Sequence, residues 1–237
     1  MTAPLFYVDS VPGTGTVSIG GAQSRHAVSA MRLRPGEVVL VGDGAGTIAK
    51  CAVVTSDRRS GLTLDVLSTA TEPAPRQITV VLAIPKGERA ELAVELLTET
   101  GVSRIVPWMS QRTVADWRGK EQAKVDRWRR VAAAAAMQAR RAHRPVVADP
   151  RTGVPEIDGT TLVLHEEATA CLFDGPVPSG PVSVVVGPEG GLSDDEVVTL
   201  TERGATPVNL GTLIMRTSTA GAAACVWLRG FERRGET

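Results

Sequence analysis

The sequence predicts an α/β protein with a smaller β-rich domain at its N-terminus. Short β-prone runs, separated by glycine and proline turns, fill residues 1–72. Pro73 and Pro75 follow, and prolines discourage the continuation of either a helix or a strand. Beyond them, continuous apolar runs alternate with helical patterns, which is typical of a parallel sheet with helices on both faces. We therefore predict two domains, at residues 1–72 and 73–237.

In the N-terminal domain, β-prone runs predict five short strands, at residues 6–8, 16–19, 38–41, 48–55 and 62–67. Turn signals such as Gly42-Asp43-Gly44 lie between them. A short helix is expected at residues 26–33, ended by Pro35-Gly36. Several short strands in about 70 residues indicate a small barrel.

In the C-terminal domain, apolar runs predict strands at residues 78–83, 105–108, 161–165, 182–186 and 208–210. Helical patterns predict helices at residues 88–100, 117–142, 193–204 and 217–231. The third of these helices should begin with a capping box, because Ser193 precedes Glu196 by three positions. The domain is therefore expected to alternate strands and helices along its whole length.

The composition excludes several classes of protein. The charge is balanced, with 26 basic and 26 acidic residues, so any surface that binds nucleic acid must be local. The three cysteines are far apart and form no C-x-x-C pair, which argues against a disulfide framework or a zinc site. No run approaches the roughly 18 apolar residues that span a bilayer, and no signal region opens the chain. A cytoplasmic protein is expected.

Two loops are the best candidates for a ligand site. Gly187-Pro188-Glu189-Gly190-Gly191 follows a predicted strand and precedes a helix. Ligands bind at the carboxyl ends of parallel strands, and glycines let backbone groups approach them closely. An ordinary turn capped by Ser193 is about equally compatible with this pattern. A phosphate-binding loop is disfavoured, because neither G-K-[S/T] nor G-x-G-x-x-G occurs.

The second loop is the junction at residues 210–220. Leu210, Leu213 and Ile214 offer an apolar slot for a flat ring, and Gly211 offers exposed backbone. Arg216 offers a fixed positive charge. A solvated arginine followed by a Thr/Ser helix cap explains each residue alone, but two such loops together indicate one pocket.

Two further features have an ordinary structural explanation as well as a functional one. His165-Glu166 ends a strand but does not form H-E-x-x-H, because position 169 is threonine; a lone histidine there is more often structural. Residues 112–144 contain ten basic residues against three acidic ones, a balance that can follow RNA phosphates. Such runs are usually solvated helix faces.

The motifs together resemble one family, the RsmE-type 16S rRNA uridine-N3 methyltransferases of the SPOUT superfamily. The resemblance covers nearly the whole chain, and the pair formed by the G-P-E-G-G loop and the L-G-x-x-I-x-R-x-x-T-A loop is its most specific part. Further matching segments are Met31-Arg32-Leu33-Arg34-Pro35-Gly36, Pro85-Lys86-Gly87-Glu88-Arg89, Arg112-Thr113 and Gln138-Ala139-Arg140-Arg141.

The resemblance implies a PUA-like barrel that binds RNA and a methyltransferase domain closed by a trefoil knot. It also implies a homodimer, S-adenosylmethionine as cofactor, no metal, and N3-methyluridine in small-subunit rRNA as product. The cofactor residues it implies are Leu164, His165, Glu166, Gly187, Pro188, Glu189, Gly190, Leu210, Gly211, Leu213, Ile214, Met215, Arg216, Thr219 and Ala220. The RNA contacts it implies are His26, Arg32, Arg34, Lys86 and Arg112.

Catalysis must remove the proton from uridine N3, because the protonated nitrogen is a poor nucleophile. We expect Arg216, or Arg140 and Arg141 of the other subunit, to stabilise the developing anion. Glu189 is the candidate general base, or it only braces its loop. Two alternatives stay open: a SPOUT methyltransferase for another RNA, and a non-catalytic RNA-binding factor in ribosome assembly.

Overall fold

The chain forms two compact units. The structure is a computed structural model that describes residues 3–57, 59–156 and 159–230. One unit comprises Met1–Pro75 together with Ala136–Arg144, and the other comprises Arg76–Ala135 and Pro145–Thr237. The sequence did not predict that the stretch Ala136–Arg144 belongs with the N-terminal unit.

The first unit contains a five-stranded sheet and one helix. Its elements are β1 (Leu5–Tyr7), β2 (Thr16–Ile19), α1 (Gly21–Ser29), β3 (Val38–Gly42), β4 (Thr47–Asp57) and β5 (Gly61–Thr71). The strand order is β1-β3-β4-β5-β2, with β1 parallel to β3 and the other pairs antiparallel. Register shifts interrupt the β4–β5 ladder at Lys50/Cys51 and Val53/Thr55. Such irregularities bend strands and increase their twist.

Alternating side chains give this sheet two apolar faces. Phe6, Val39, Val41 and other inward residues form one core, which also contains Ala27 of α1. On the opposite face, Leu5 and Tyr7 pack with Ala136. The stretch Ala136–Arg144 therefore completes the core of the first unit.

Tyr7 connects this stretch to β1. Its buried hydroxyl donates to the carbonyl of Arg141 at 2.6 Å, and the Arg144 guanidinium lies 4.9 Å from the centre of its ring. Burial raises the pKa of Tyr7 to about 12, although the charges of Arg141 and Arg144 act in the opposite direction. The neutral phenol is thus the form that this packing favours.

The second unit is built on a parallel sheet. Its elements are β6 (Ile78–Ala83), α2 (Arg89–Glu99), β7 (Arg104–Met109), all but the last three residues of α3 (Glu121–Gln138), β8 (Val146–Val147), β9 (Arg151–Thr152), β10 (Thr160–Leu164), β11 (Val182–Val186), α4 (Asp194–Glu202), β12 (Thr206–Val208) and α5 (Thr217–Gly230). The strand order is β12-β10-β11-β6-β7-β8, and β9 also pairs with β7. Every recorded pairing in this part of the described chain is parallel.

Both faces of this sheet are buried, as the continuous apolar runs predicted. Ile78, Val80 and Leu82 face a core that includes residues of α2, α3 and α5. Val81 and Ala83 face the opposite core, which includes Leu200 of α4. After β12 at the sheet edge, the chain returns to α5, which contacts β11 and β6.

The structure places the long helix, the first helix and the last strand at bounds that differ from the predicted ones. The long helix begins at Glu121 rather than at residue 117, and Trp117 instead packs in a loop against Trp128 with 5.1 Å between ring centres. The helix also ends at Gln138, and Arg140 adopts a positive φ of 52° just beyond it. The first helix is Gly21–Ser29 rather than residues 26–33, and the last strand is Thr206–Val208 rather than 208–210. The predicted position 231 of the last helix lies outside the described residues.

Within the described ranges, no helix is both long enough and apolar enough to cross a lipid bilayer.

Candidate active site at the strand ends

Three neighbouring parallel strands end at one cavity. Leu164 closes β10, Val186 closes β11 and Val208 closes β12, and all three line a cavity of about 410 Å³. The carboxyl edge of a parallel sheet is where ligands bind in open α/β folds. The cavity therefore lies where the sequence placed the site, and its size is within the range of small-molecule pockets.

Both predicted loops contribute to the wall of this cavity. The predicted residues that line it are Leu164, His165, Glu166, Gly187, Pro188, Leu210, Gly211, Leu213, Ile214, Met215 and Ala220. The lining does not include Glu189, Gly190, Arg216 or Thr219. The lining also includes Gly191, Thr212 and Thr217, which lie in the two predicted loops but were not among the implied cofactor residues. Lining residues outside both predicted loops that the sequence did not single out are Val186, Leu192, Val208 and Asn209.

One hydrogen bond joins the two loops. The buried Thr217, at the first position of α5, donates its hydroxyl to the carbonyl of Gly187 at 2.9 Å. Thr217 and Gly187 both line the cavity. The relative position of the two walls therefore depends in part on this bond.

Asn209 organises the neighbouring wall. Its side-chain amide donates to the carbonyl of Ala168 at 2.6 Å, and its side-chain oxygen accepts the N–H of Gly211 at 2.9 Å. Gly211 adopts a φ of +91°, a conformation that favours glycine. The amide of Gly211 is thus already engaged by Asn209 rather than offered to a ligand.

The part of the wall beyond Gly211 is open and apolar. Leu213 and Ile214 are 76% and 83% exposed. Large apolar side chains with this exposure at a cavity mouth mark a surface that becomes covered when a ligand or partner binds.

Comparisons with known proteins agree with this architecture. The family of the RNA methyltransferase domain matches residues 72–229, and that of the RNA methyltransferase PUA domain matches residues 19–63. The ribosomal RNA small subunit methyltransferase E of Mycobacterium bovis is 44% identical over 241 residues, which cover 94% of this chain and 90% of that protein. This chain belongs to the ribosomal RNA small subunit methyltransferase E family.

Other members of the family agree over most of the chain. The Bacillus subtilis methyltransferase E is 31% identical over 222 residues, covering 86% of each protein. The crystal structure of methyltransferase E from Neisseria gonorrhoeae, bound to S-adenosyl methionine, superposes with a TM-score of 0.87 at 26% identity. That match covers 97% of this chain and 98% of the other. The family and the α/β fold with an N-terminal PUA domain are thereby confirmed.

The predicted catalytic residues of this methyltransferase E family member lie in different places. A carboxylate oxygen of Glu189 accepts the backbone N–H of Lys86 at 3.1 Å, so this side chain ties the G-P-E-G-G loop to the loop after β6. Arg216 is exposed, and its carbonyl accepts the N–H groups of Thr219 and Ala220 at the start of α5. Arg140 and Arg141 belong to the first unit, whereas Glu189 and Arg216 belong to the second.

The predicted RNA contacts are exposed basic side chains. His26, Arg32 and Arg34 are exposed in the first unit, and Arg32 has a positive φ of 56°. Lys86 and Arg112 are exposed in the second unit. The Arg112 guanidinium is engaged within the protein, because Nη1 donates to the carbonyls of Gly190 at 3.1 Å and Leu192 at 2.9 Å.

A buried carboxylate that the sequence assigned only to a helix cap also supports this region. Glu196 is 2% exposed; one oxygen accepts the N–H of Gln111 at 2.8 Å and the other the N–H of Ser193 at 2.9 Å. The Ser193 hydroxyl in turn accepts the N–H of Glu196, which completes the predicted capping box. Glu196 thus joins the start of α4 to the loop after β7.

Among the described residues, no group of three or more histidine, cysteine, aspartate or glutamate side chains is placed to hold a metal ion.

Proposed function

We propose that this protein transfers the methyl group of S-adenosylmethionine to N3 of a uridine in 16S rRNA of the small ribosomal subunit. The main observation that supports this proposal is the cavity at the ends of β10, β11 and β12, which both predicted loops line. Family membership supports rRNA as the substrate, and the S-adenosyl methionine in the Neisseria gonorrhoeae relative supports the cofactor.

The cavity suits a ligand with apolar, polar and charged parts. Leu164, Val208 and Leu210 provide apolar surface for an adenine ring, while His165 and Glu166, directly after Leu164 at the end of β10, provide polar groups. When bound, S-adenosylmethionine supplies an electrophilic methyl group on its sulfonium. The protein has only to position the uridine and manage its N3 proton.

In this reaction the N3–H bond and the S–CH3 bond break and an N3–CH3 bond forms, so that the N3 proton passes to solvent and S-adenosylhomocysteine leaves as the neutral thioether. We assign to Arg216 the stabilisation of the uridine anion, because this residue directly precedes α5 and lies in the chain between the cavity-lining Met215 and Thr217. Arg140 and Arg141 of a partner subunit are the second candidates. The contact with Lys86 favours a bracing role for Glu189 over that of general base.

The homodimer and the RNA-binding role of residues 1–72 belong to the same proposal. Exposed apolar side chains on the second unit, among them Ile214 and Val226, offer surface that a second subunit would cover. His26, Arg32 and Arg34 give the first unit exposed basic groups for RNA phosphates. Sedimentation equilibrium should give a mass twice the 24.9 kDa of one chain.

The central experiment measures methyl transfer from labelled S-adenosylmethionine into small subunits that lack the modification, followed by mapping of the methylated nucleotide. A single N3-methyluridine in 16S rRNA is expected. Methylation of a different RNA would replace the substrate assignment, and tight RNA binding without transfer would leave a non-catalytic assembly factor.

The catalytic assignment is tested with Arg216→Ala against Arg118→Ala, a surface arginine paired with Asp116. With cofactor bound, turnover of Arg216→Ala should fall by about 10²-fold or more. Arg118→Ala should retain wild-type turnover. Normal turnover in Arg216→Ala would remove this residue from the mechanism.

A further inference from the structure

We propose that Arg112 is a positioning residue for the cofactor cavity, rather than chiefly an RNA contact. Its Nη1 donates to the carbonyls of Gly190 and Leu192, at 3.1 and 2.9 Å. These two carbonyls bracket Gly191, and both Gly191 and Leu192 line the cavity. Arg112 therefore holds the outer side of the loop whose inner side forms the wall. The inference deepens the proposed function and rests on it for the identity of the ligand.

Close packing accompanies the hydrogen bonds. A Cβ added at Gly190 would lie 3.6 Å from the Arg112 Cβ, so the stem of the arginine lies against the loop backbone. A Cβ added at Gly191 would lie 3.9 Å from Arg112 Nη1 and 4.0 Å from a carboxylate oxygen of Glu166. The guanidinium and the cavity-lining Glu166 thus flank the same glycine, and their opposite charges attract across it.

The turn that carries Arg112 is itself fixed. The Thr113 hydroxyl accepts the N–H of Ser110 at 3.1 Å and lies 2.8 Å from the Ser110 hydroxyl. The N–H of Gln111 donates to the buried Glu196 at 2.8 Å. Arg112 is therefore a rigid bridge between the end of β7 and the loop after β11, two strands that are not adjacent in the sheet.

Such a bridge matters to this loop because three of its five residues, Gly187, Gly190 and Gly191, are glycines. Gly191 has a φ of +72°, and its N–H donates to the carbonyl of Pro188 at 2.9 Å. Glycines carry large conformational entropy, which must be restricted before a ligand can bind. A pre-ordered loop lowers that cost when the cofactor enters.

The chain provides a matched control for this arginine. Arg203 is also exposed, belongs to the same unit, and donates Nη1 to two carbonyls, those of Val154 at 3.0 Å and Pro155 at 3.1 Å. It does not line the cavity. Arg112→Lys and Arg203→Lys therefore remove the same planar donor geometry from two places, while keeping the charge.

The first measurement is S-adenosylmethionine affinity by calorimetry without RNA, beside the affinity for rRNA. Arg112→Lys should weaken cofactor binding by about tenfold, as expected for a lost charge-assisted hydrogen bond, with rRNA affinity within about twofold of wild type. Arg203→Lys should leave both affinities unchanged. Wild-type cofactor affinity in Arg112→Lys, or an equal loss in both variants, would overturn the proposal.

The second measurement does not depend on the ligand. Amide hydrogen exchange should be faster at Gly191 in Arg112→Lys than in wild type or Arg203→Lys. Unchanged exchange there would overturn the positioning role. A wild-type protein that binds the cofactor but transfers no methyl group would instead refute the proposed function, and the two failures are thereby distinguishable.

Discussion

Replacing Thr217 with valine removes the hydroxyl group of this residue while nearly preserving the shape of the side chain. Valine keeps the branched side chain and replaces the hydroxyl with a methyl group. The change removes the 2.9 Å hydrogen bond to the Gly187 carbonyl at a site that is 7% exposed. Because both partners line the cavity, the variant should weaken the connection between the two loops without emptying space.

The expected magnitude follows from that burial. A fully buried group that loses its hydrogen-bond partner costs about 1–3 kcal/mol, and the Gly187 carbonyl, at a residue of intermediate exposure, should lie in the lower part of that range. We expect the free energy of unfolding to fall by about 1–2 kcal/mol. If about half of that loss reflects looser loops in the cofactor-free protein, affinity for S-adenosylmethionine falls by about 2- to 5-fold.

Thr98→Val is the control for the chemical change alone. Thr98 is fully buried in α2 and donates its hydroxyl to the carbonyl of Val94 at 2.7 Å, away from the cavity lining. Calorimetric titration and thermal unfolding are run on both variants. Thr217→Val should lose affinity and stability, while Thr98→Val should lose stability alone. Equal cofactor affinity in Thr217→Val and wild type would refute the view that this bond sets the cavity.

Three further predictions concern stability. Glu196→Gln should lower the free energy of unfolding by about 1–3 kcal/mol in denaturant titration. Two backbone N–H groups donate to the two oxygens of this carboxylate, and an amide has only one oxygen to accept them. An unchanged unfolding midpoint would contradict this prediction. Gly61→Ala should lower the melting temperature, because its φ of +87° disfavours alanine and the new Cβ would overlap the carbonyl of Ile19. Gly13→Ala, with open space around it, should melt like the wild type. Folding raises the pKa of Tyr7 from 10.0 to about 12, so the buried neutral phenol contributes stability that is fully present below pH 10 and is lost as the pH rises toward 12. The free energy of unfolding should fall by about 2–3 kcal/mol over this range, and Tyr7→Phe should not show this fall. Tyr7 is the single tyrosine of the chain, so its ultraviolet titration reports this pKa directly.

The sequence predicted best those elements whose environment is uniform along their length. Ile78–Ala83 and Val182–Val186 were placed at their observed bounds, because strands buried on both faces read as unbroken apolar runs. The capping box at Ser193 was likewise predicted, since its partners are three residues apart. Local chemistry and burial were sufficient in these cases.

Prediction was less complete where partners are distant in sequence. The hydroxyl of Thr217 finds its acceptor 30 positions away and the amide of Asn209 finds its acceptor 41 positions away. The sequence therefore placed Thr217 in a candidate loop without its bond to Gly187, and it did not single out Asn209. The helical pattern likewise runs on through the alanines to residue 142. The chain leaves the helix earlier because Arg140 adopts a positive φ, and the N–H groups of Arg140 and Arg141 cap the helix on the carbonyls of Met137 and Ala136. The Tyr7 hydroxyl then bonds the Arg141 carbonyl.

These long-range bonds change how a mutation at the cavity should be interpreted. Glu189 binds the backbone of Lys86, Arg112 binds the backbone of Gly190 and Leu192, and Thr217 binds the backbone of Gly187. Each bond places a side chain of one segment on the backbone of another, so substitution of any of these side chains should disturb the loops that wall the cavity. Loss of activity on its own therefore cannot make Glu189 a general base. A bracing glutamate predicts weaker cofactor binding with an unchanged pH–rate profile, whereas a general base predicts normal binding and loss of the acidic limb of that profile.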